Sequence, residues 1–267
     1  MITLITDFGF DNHFVGTMYG VILGINPDVK IVDICHEVKP HDIYEAAYFL
    51  EHSYKYFPRG TVHVVVVDPG VGSLRRPLLL STGDFFFIAP DNGVLSPIME
   101  TFRNKLQVIH LTNHKFFLEN PSKTFHGRDI FAPVAAYLSL GVSYQTLGEL
   151  IEDYYLPKIK KVIFDDKGSN MVGSVIFIDR FGNIVTNIDK RLFEKAKQIK
   201  KGEQFQIKIK DHSIEQIKDY YAQGAEGELI AIFGSSDKLE ISINKGMASK
   251  FIGVTVGEEI KILLKGT

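Results

Sequence analysis

A short loop that begins with an aspartate and ends with two arginines is the sharpest chemical feature of the sequence. Asp68 follows the apolar run VHVVVV and opens the string DPGVGSLRRP, in which Arg75 stands seven residues further along. The proline and glycines between them predict a turn whose backbone can approach a small molecule, and across which carboxylate and guanidinium can meet. No Gly-Lys-Ser/Thr follows, so the loop is not a phosphate-binding Walker A motif. The alternative is that Arg75 and Arg76 form a solvated surface pair.

The string TFHGRDIFAP holds a second polar cluster just before a helical pattern. His126 stands between an aromatic residue and a glycine that opens space beside it, and Arg128 and Asp129 follow. Most lone histidines are structural, but these neighbours make His126 the best catalytic candidate among the histidines. His36 is excluded from a Cys-His catalytic pair, because it adjoins Cys35 in a predicted strand and their side chains point to opposite faces.

A metal site has little support in the sequence. Acidic residues and histidines that could be drawn as ligands are Asp7, Asp11, His13, Asp68, Asp91 and His126. They lack any recognisable ligand spacing, and the chain has neither a His-Glu-x-x-His motif nor paired cysteines. We therefore expect chemistry without a metal ion.

The candidate residues lie at the ends of apolar segments that alternate with helical patterns in the first half of the chain. The predicted strands are 2–6, 30–35, 62–67, 77–82, 85–89 and 106–111, and the predicted helices are 13–25, 42–57 and 130–140. Strands that are continuous Val, Ile and Phe runs are buried on both faces, which predicts an α/β domain with a mainly parallel sheet flanked by helices. Ligands bind such sheets at the carboxyl ends of the strands, where Asp7, Asp68 and Asp91 lie, although each could instead cap a helix.

Three glycines recur at every fourth position of the first predicted helix. Gly16, Gly20 and Gly24 share one face of 13–25. A face without side chains lets a helix pack closely against a sheet, and we expect this packing rather than a ligand contact.

The second half of the chain has a different pattern. Alternating polarity around polar turns is typical of hairpins, and it occurs in VGSVIFIDRFGNIVTNI, FQIKIKDHSIEQI, ELIAIFGSSDKLEISIN and VTVGEEIKILLK. One helix, 189–199, interrupts these strands. We therefore predict two domains, an N-terminal α/β domain over 1–155 and a smaller C-terminal antiparallel β-barrel domain over 156–267.

Composition excludes several classes of protein. In this chain of 267 residues, 30 Lys and Arg nearly balance 32 Asp and Glu, and the net charge of −2 gives no electrostatic footprint for nucleic acid. The single cysteine, Cys35, excludes an internal disulfide and suits a reducing compartment. The longest uncharged apolar segment, 14–25, is shorter than the roughly 20 residues that span a bilayer, and the amino terminus lacks the features of a secretory signal. We expect a cytoplasmic protein that binds neither nucleic acid nor membranes.

Six motifs, in this order, resemble those of one protein family. They are TDFG, VDPGVGSLRRP, APDNGVL, TFHGRD, IDRFGNIVTNI and FGSSDKLEISIN, and the resemblance runs over nearly the whole chain. The chain is similar to the S-adenosylmethionine (SAM) hydrolases, also called SAM hydroxide adenosyltransferases, which are relatives of fluorinase and chlorinase. Asp-Pro-Gly-Val-Gly followed by Arg-Arg is the most specific of these strings.

The resemblance implies an activity and an assembly. The reaction it implies is that of SAM with water, giving adenosine and L-methionine, with SAM as the substrate and no cofactor. It also implies a homotrimer whose active sites lie between the N-terminal domain of one subunit and the C-terminal domain of the next. The α/β and β-barrel domains that it implies agree with the two domains predicted above.

The functional positions of the family match residues of this sequence one by one. In the N-terminal domain, Asp68, Arg75 and His126 match the residues that hold the attacking water. Asp7 matches the carboxylate that binds the ribose hydroxyls, and Phe8 stands beside it. The sequence leaves open whether Asp68 or His126 accepts the proton of the water.

The C-terminal domain supplies the remaining substrate-binding positions that the resemblance implies. Asp179 matches the ligand of the methionine amine, Asn183 an adenine contact, and Tyr221 an aromatic residue that packs on the base. Further positions lie in the hairpin that closes the site, and they are Ser235, Glu240 and the segment from Ile243 to Met247.

Departures from the halogenating relatives favour water over a halide. Fluorinase-like enzymes carry a tyrosine where Asp68 stands, a serine at Gly127 and an arginine at Ser236. A carboxylate at position 68 would repel a halide ion. Two alternatives to the hydrolase remain, namely an adenosyl halogenase that uses chloride and a non-catalytic sensor of adenosine or SAM.

Overall fold

A computed structural model describes residues 1–157, 161–165, 170–200 and 204–264. The chain divides into two compact units, Met1–Pro157 and Lys158–Thr267. The domain boundary predicted from the sequence, after residue 155, lies close to this division.

The first unit is built on one mixed sheet. Its strands are β1 (Ile2–Thr6), β2 (Ile31–Cys35), β3 (Val62–Val66), β4 (Pro77–Ser81), β5 (Phe86–Pro90), β6 (Gln107–Leu111) and β7 (Gly148–Ile151). Within residues 1–157, all of which are described, these seven strands lie in the order β2-β1-β3-β5-β4-β6-β7. β4 and β7 run in the direction opposite to the other five strands, which all point the same way. The predicted α/β class with a mainly parallel sheet is confirmed.

Helices cover both faces of this sheet. They are α1 (Phe14–Ile25), α2 (Ile43–Ser53), α3 (Ser96–Thr101) and α4 (Ala132–Ser139), with single 3₁₀ turns at Tyr54–Tyr56, His114–Phe116 and Tyr144–Thr146. Successive side chains of β3 point to opposite faces of the sheet. Val64 packs with α1 and α4 on one face, and Val65 packs with α2 and α3 on the other. A π-helical turn, Gly127–Phe131, replaces the start of the helix predicted from residue 130.

The close packing predicted for the glycine face of α1 is wrong. Gly16, Gly20 and Gly24 are exposed, and a methyl group added to any of them would meet nothing within 4 Å. The core side of α1 is instead the apolar stripe that includes Met18 and Ile22. Burial of these large side chains turns the glycines toward solvent.

The second unit is a nearly closed, barrel-like β structure. Its strands are β8 (Ile163–Phe164), β9 (Met171–Ile178), β10 (Ile184–Asp189), β11 (Phe205–Ile209), β12 (His212–Ile214), β13 (Ile217–Lys218), β14 (Leu229–Phe233), β15 (Lys238–Ile243) and β16 (Glu259–Leu264). In the described part of this unit the order is β12-β11-β16-β9-β10-β15-β14-β13, with β8 on β9, and every pair except β13–β14 is antiparallel. Helices α5 (Lys190–Lys200) and α6 (Ala248–Ile252) accompany the strands, and Phe193 of α5 is buried in the core. The predicted barrel-like β domain is confirmed.

No helix among the described residues has both the length and the apolar character that a membrane span requires. Among the described residues the longest helix is α1, with 12 residues. It packs against the sheet of the first unit through Met18 and Ile22.

His63 is an ionisable side chain in the core of the first unit. It lies on β3 with no exposed surface, its Nδ1 is 2.7 Å from Thr3 Oγ1, and its ring stacks on Phe87 with centroids 5.1 Å apart. Burial lowers the pKa of His63 from 6.5 to about 3. The folded protein therefore holds this ring neutral at pH values where the unfolded chain protonates it.

We expect His63 to make the free energy of unfolding fall with acidification. Between pH 6.5 and 3 the unfolded chain binds a proton here that the folded chain does not, which costs about 2 kcal/mol at pH 5. His63→Phe removes this dependence, and urea unfolding at pH 7 and pH 5 measures it. The control is His114→Gln, at an exposed position. We expect this variant to lose as much free energy of unfolding between pH 7 and pH 5 as the wild type does. Equal pH dependence in His63→Phe and the wild type would contradict the prediction.

Candidate active site

Asp68 and Arg75 form a buried, bidentate ion pair. Arg75 Nε donates to Asp68 Oδ1 at 3.0 Å and Nη2 donates to Asp68 Oδ2, while the two side chains are only 5 % and 8 % exposed. The same Nη2 donates to His126 Nδ1 at 2.6 Å. Arg75 Nη1 is buried without a hydrogen-bond partner among the described residues. The structure thus brings the three residues together and leaves an N–H group of Arg75 for another oxygen atom.

The local chain geometry explains why Asp68 and Arg75 meet. Val71 N donates to the Asp68 carbonyl and Ser73 N to the Gly70 carbonyl, each at 3.1 Å, so two successive turns fold the loop back. Gly72 has a φ of +76°, which favours glycine, and a Cβ there would lie 2.1 Å from the Lys123 carbonyl oxygen. The loop therefore packs directly on the segment that carries His126.

The residues after His126 fix the backbone of this segment. The Asp129 carboxylate accepts from Ser122 N at 2.7 Å and from Arg128 Nε at 2.6 Å. Burial alone would raise the pKa of Asp129, but the hydrogen bonds from Arg128 and Ser122 outweigh it and lower the pKa. Arg128 and Asp129 thus hold the loop, and of this cluster only His126 contacts the Asp68–Arg75 pair.

The ring of His126 is held neutral with a defined tautomer. Burial, followed by the positive charge of Arg75, lowers the pKa of His126; the charges of Asp68 and Asp129 and a backbone hydrogen bond with Ser122 do not offset this. A guanidinium only donates, so Nδ1 accepts from Arg75 and the neutral ring carries its proton on Nε2.

A cavity of about 250 Å³ opens beside these residues. Its walls are Asp7, Phe8, Phe14, Pro40, His41, Val66, Asp68, Val71, Thr124, Phe125, His126 and Gly127. Phe8, Phe14 and Phe125 contact one another with ring centroids 5.0–5.7 Å apart. Two carboxylates in an aromatic pocket suit a ligand that carries positive charge and hydroxyl groups.

The two carboxylates reach this cavity from neighbouring strands. Asp7 follows β1 and Asp68 follows β3, and the last residues of these parallel strands, Thr6 and Val66, pair in register. Asp7 Oδ2 accepts from the backbone N–H of His41 at 2.9 Å. His41 has a φ of +67° and was missed by sequence reasoning; its one signal is its place between a proline and the N-cap Asp42 of α2.

The polar residues at the end of β5 turn away from this cavity. Asp91 accepts from Arg76 at 2.8 Å and from the backbone of Tyr155, also at 2.8 Å, and Arg76 in addition pairs with Asp153. Asn92 donates to the Val67 carbonyl at 2.8 Å. The second arginine of the loop is therefore not an unpaired surface group, because it bonds to Asp91 and Asp153 and so fixes the segment around 153–155.

The second unit has a cavity of about 600 Å³ of its own. It is lined by Asp179, Arg180, Phe181, Asn183, Tyr221, Ile243, Lys245, Gly246 and Met247. Asp179 accepts at Oδ1 from the backbone N–H groups of Phe181 and Asn183, both at 2.9 Å, and at Oδ2 from Asn183 Nδ2 at 2.8 Å. Sequence reasoning found Asp179, Asn183, Tyr221 and the segment from Ile243 to Met247. It missed the exposed Arg180 and Phe181, whose signal is their place in the polar turn after β9.

Glu240 and Ser235 do not line this cavity. Glu240 is 8 % exposed, and its Oε2 accepts from the Tyr221 hydroxyl at 3.0 Å. Burial raises the pKa of Glu240; the Tyr221 hydrogen bond lowers it and the charge of Asp179 raises it. Ser235 is exposed in the turn between β14 and β15. The structure therefore links Glu240 to the cavity through Tyr221 and leaves Ser235 outside it.

No group of three or more His, Cys, Asp or Glu side chains among the described residues is placed to hold a metal ion. Asp68 is engaged by Arg75, and Asp7 by the backbone of His41. The carboxylates and the histidine of the first cavity thus have nitrogen donors as their partners.

Comparisons with known proteins agree over most of the chain. The family model for the SAM hydroxide adenosyltransferase N-terminal domain matches residues 2–148, and that for the C-terminal domain matches residues 173–261. An (R)-S-adenosyl-L-methionine hydrolase from Methanocaldococcus jannaschii is 37 % identical over 98 % of this chain and 95 % of its own. The solved structure of an uncharacterized conserved protein from Thermotoga maritima is 36 % identical with a TM-score of 0.89, covering 98 % of this chain and 100 % of that one. A fluorinase from Nocardia brasiliensis is more distant, at 27 % identity over 73 % of each chain.

Proposed function

The chain belongs to the SAM hydroxide adenosyltransferase family, and on that premise we propose that it hydrolyses S-adenosyl-L-methionine to adenosine and L-methionine. The observation that carries the mechanism is the buried Asp68–Arg75 pair, joined to His126 at the wall of an aromatic cavity. Water attacks C5′ of the substrate, the C5′–O bond forms, and the electrons of the C5′–S bond go to sulfur. One proton leaves with the reaction.

The substrate itself determines what the protein must supply. A sulfonium leaves as a neutral thioether, so methionine departs without a general acid. The protein must hold a water molecule in line with the C5′–S bond, near 3–3.5 Å from carbon, and must take up its proton. Neither electron transfer nor a Lewis acid is required, so we propose that the reaction uses no metal ion and no cofactor.

We assign the proton to Asp68 rather than His126. The lone pair of the neutral His126 ring is at Nδ1, and an N–H of Arg75 already occupies it. Each oxygen of the Asp68 carboxylate accepts one hydrogen bond from Arg75 and retains a second acceptor position. Arg75 stays protonated and fixes both groups.

The substrate contacts divide between the two units. In the first, Asp7 binds the ribose hydroxyls and Phe8 packs beside them, within the 250 Å³ cavity. In the second, Asp179 binds the methionine amine and Asn183 the adenine, on which Tyr221 packs. Ile243 and Met247 complete this wall, and we propose that Glu240 acts through Tyr221. The contact that the resemblance implies for Ser235 stays a prediction, as does a cytoplasmic location.

We further propose a homotrimer in which one subunit's first cavity faces the next subunit's second cavity. Each of the two cavities carries a different part of the residues that SAM needs. The first holds the water-binding residues and the second holds the amine and adenine contacts. A shared site supplies both to one substrate molecule.

The residues at two positions argue against a halogenase. The negative carboxylate of Asp68 repels a halide. At Gly127, where fluorinase-like enzymes carry a serine, an added Cβ would lie 3.2–3.3 Å from Phe125, Met18 and Val66. A side chain at this position requires its neighbours to move.

The proposed function predicts that each protein molecule forms more than one molecule of product. Purified protein incubated with SAM releases adenosine and methionine in equal amounts, and neither a chelator nor added chloride changes the rate. Chromatography of the mixture at increasing times measures both products. A single equivalent of adenosine that stays on the protein would favour the sensor, and 5′-chloroadenosine would favour the halogenase.

The mechanism predicts unequal effects of two matched substitutions. Asp68→Asn keeps the size of the side chain but removes the base, so kcat falls about 10²–10⁴-fold while SAM still binds. His126→Asn keeps an acceptor for Arg75, so we expect a loss of only about tenfold. Steady-state kinetics of both variants give the comparison. A collapse of kcat in His126→Asn with near-normal turnover in Asp68→Asn would move the base to His126.

The shared site predicts complementation between two inactive variants. In a trimer that contains both Asp68→Asn and Asp179→Asn chains, one of the three sites combines two unsubstituted halves, so mixed oligomers regain about a third of wild-type activity. Tandem affinity purification isolates the mixed oligomers, and each variant expressed alone is the control. Mixed oligomers that are as inactive as the single variants would exclude the shared site.

A further inference from the structure

A chain of hydrogen bonds, buried at Thr6 and His36, lies behind the carboxyl end of β1, and the mechanism above does not use it. Thr6 Oγ1 is 2.8 Å from His36 Nδ1, and His36 Nε2 is 2.8 Å from Asp33 Oδ1. The hydroxyl of Tyr19 donates to the Asp33 carboxylate. Thr6 and His36 are 0 % and 1 % exposed. The chain therefore ties α1 and the end of β2 to the last residue of β1.

The direction of each hydrogen bond follows from the groups involved. A carboxylate only accepts, so His36 Nε2 carries a proton that it donates to Asp33. With that proton on Nε2, the neutral form of the ring accepts at Nδ1 from the Thr6 hydroxyl. Thr6 Oγ1 in turn accepts from the backbone N–H of Phe8 at 3.2 Å. The chain thus ends on the backbone of the TDFG turn with every donor matched to an acceptor.

Asp7 and Phe8 are fixed from both sides by these contacts. His36 also accepts at its carbonyl from Gly9 N at 2.7 Å, which holds the far end of the turn. On the opposite side, His41 N donates to Asp7 Oδ2. Asp7 lies between Thr6 and the turn that His36 holds, and its carboxylate faces the first cavity.

We propose that Thr6 and His36 are positioning residues that hold Asp7 and Phe8 in place for the ribose of the substrate. This inference rests on the function proposed above. Ribose contacts stabilise the bound ground state and the transition state alike, so their loss raises KM with little change in kcat. A merely structural bond would lower the stability of the protein and leave KM unchanged.

The same strand offers a matched control. Thr3 Oγ1 and His63 Nδ1 form a second buried threonine–histidine pair at 2.7 Å, and neither residue lines the cavity. Thr6→Val and Thr3→Val each replace a buried hydroxyl by a methyl group on β1. Thr6→Ser returns the hydroxyl at the positioning site.

The test is the steady-state kinetics of SAM hydrolysis, with thermal unfolding of each variant alongside. We expect Thr6→Val to raise KM about tenfold and to keep kcat within about threefold. Thr6→Ser restores KM, and Thr3→Val lowers the unfolding temperature without changing KM. Thr6→Ala, which removes the same hydroxyl without adding bulk, replaces Thr6→Val if that variant does not fold. Equal KM values in Thr6→Val and Thr3→Val would overturn the inference while leaving the hydrolase intact.

A second readout separates this inference from the function on which it rests. If the wild type does not turn over SAM, the proposed function fails, and hydrogen exchange at the Phe8 amide decides the positioning role. Exchange that is faster in Thr6→Val than in Thr6→Ser and in the wild type supports it. Equal exchange at Phe8 in all three proteins overturns it.

Discussion

The buried pair of Asp68 and Arg75 is the interaction on which the rest of the site depends. Removing two charges from water is costly, and such a pair persists only where its geometry is good and its remaining groups find partners. Two bonds join the pair, and His126 accepts a further N–H. The tight contact of Gly72 with the 122–126 segment keeps the pair and the histidine together. The pKa of His126 is lowered and its Nδ1 lone pair is occupied, which supports our proposal that the carboxylate accepts the proton.

The parallel arrangement of β1 and β3 positions the Asp68–Arg75 pair beside Asp7. Their carboxyl ends lie side by side, so Asp7 and Asp68, which are distant in sequence, border one cavity. The buried Thr6–His36 bond and backbone N–H groups lie on the polar side of this edge, and three phenylalanines form the apolar side. In the mechanism that we propose, the sulfonium of the substrate lies near carboxylates and aromatic rings at this edge, and its sulfur becomes neutral as methionine leaves. Preorganised groups of this kind need no large rearrangement during the reaction.

The sequence predicted the elements whose signal is local. Continuous apolar runs gave the strands around Asp7 and Asp68, and the fold-back of the DPGVG loop followed from its glycines. Contacts that depend on tertiary structure were not predictable. Examples are the hydrogen bond from the backbone N–H of His41 to Asp7 and the ion pair between Arg76 and Asp91. The packing of the glycine face of α1 was predicted wrongly. Spacing shows that the three glycines share a face of the helix, but it does not show that the face with the larger apolar side chains is the one that packs on the sheet. Strand β7, with the sequence GELI, was missed because it lacks an apolar run.

Hydrolysis in oxygen-18 water tests most directly the claim that a water molecule held at Asp68 attacks C5′. The wild type and Asp68→Asn are incubated with SAM, and mass spectrometry locates the label in the products. The account predicts one oxygen-18 atom in each adenosine, at the 5′ oxygen, and none in methionine. It also predicts that Asp68→Asn binds SAM but loses the labelled product. Unlabelled adenosine, label in methionine, or an undiminished rate of labelling in Asp68→Asn would contradict it.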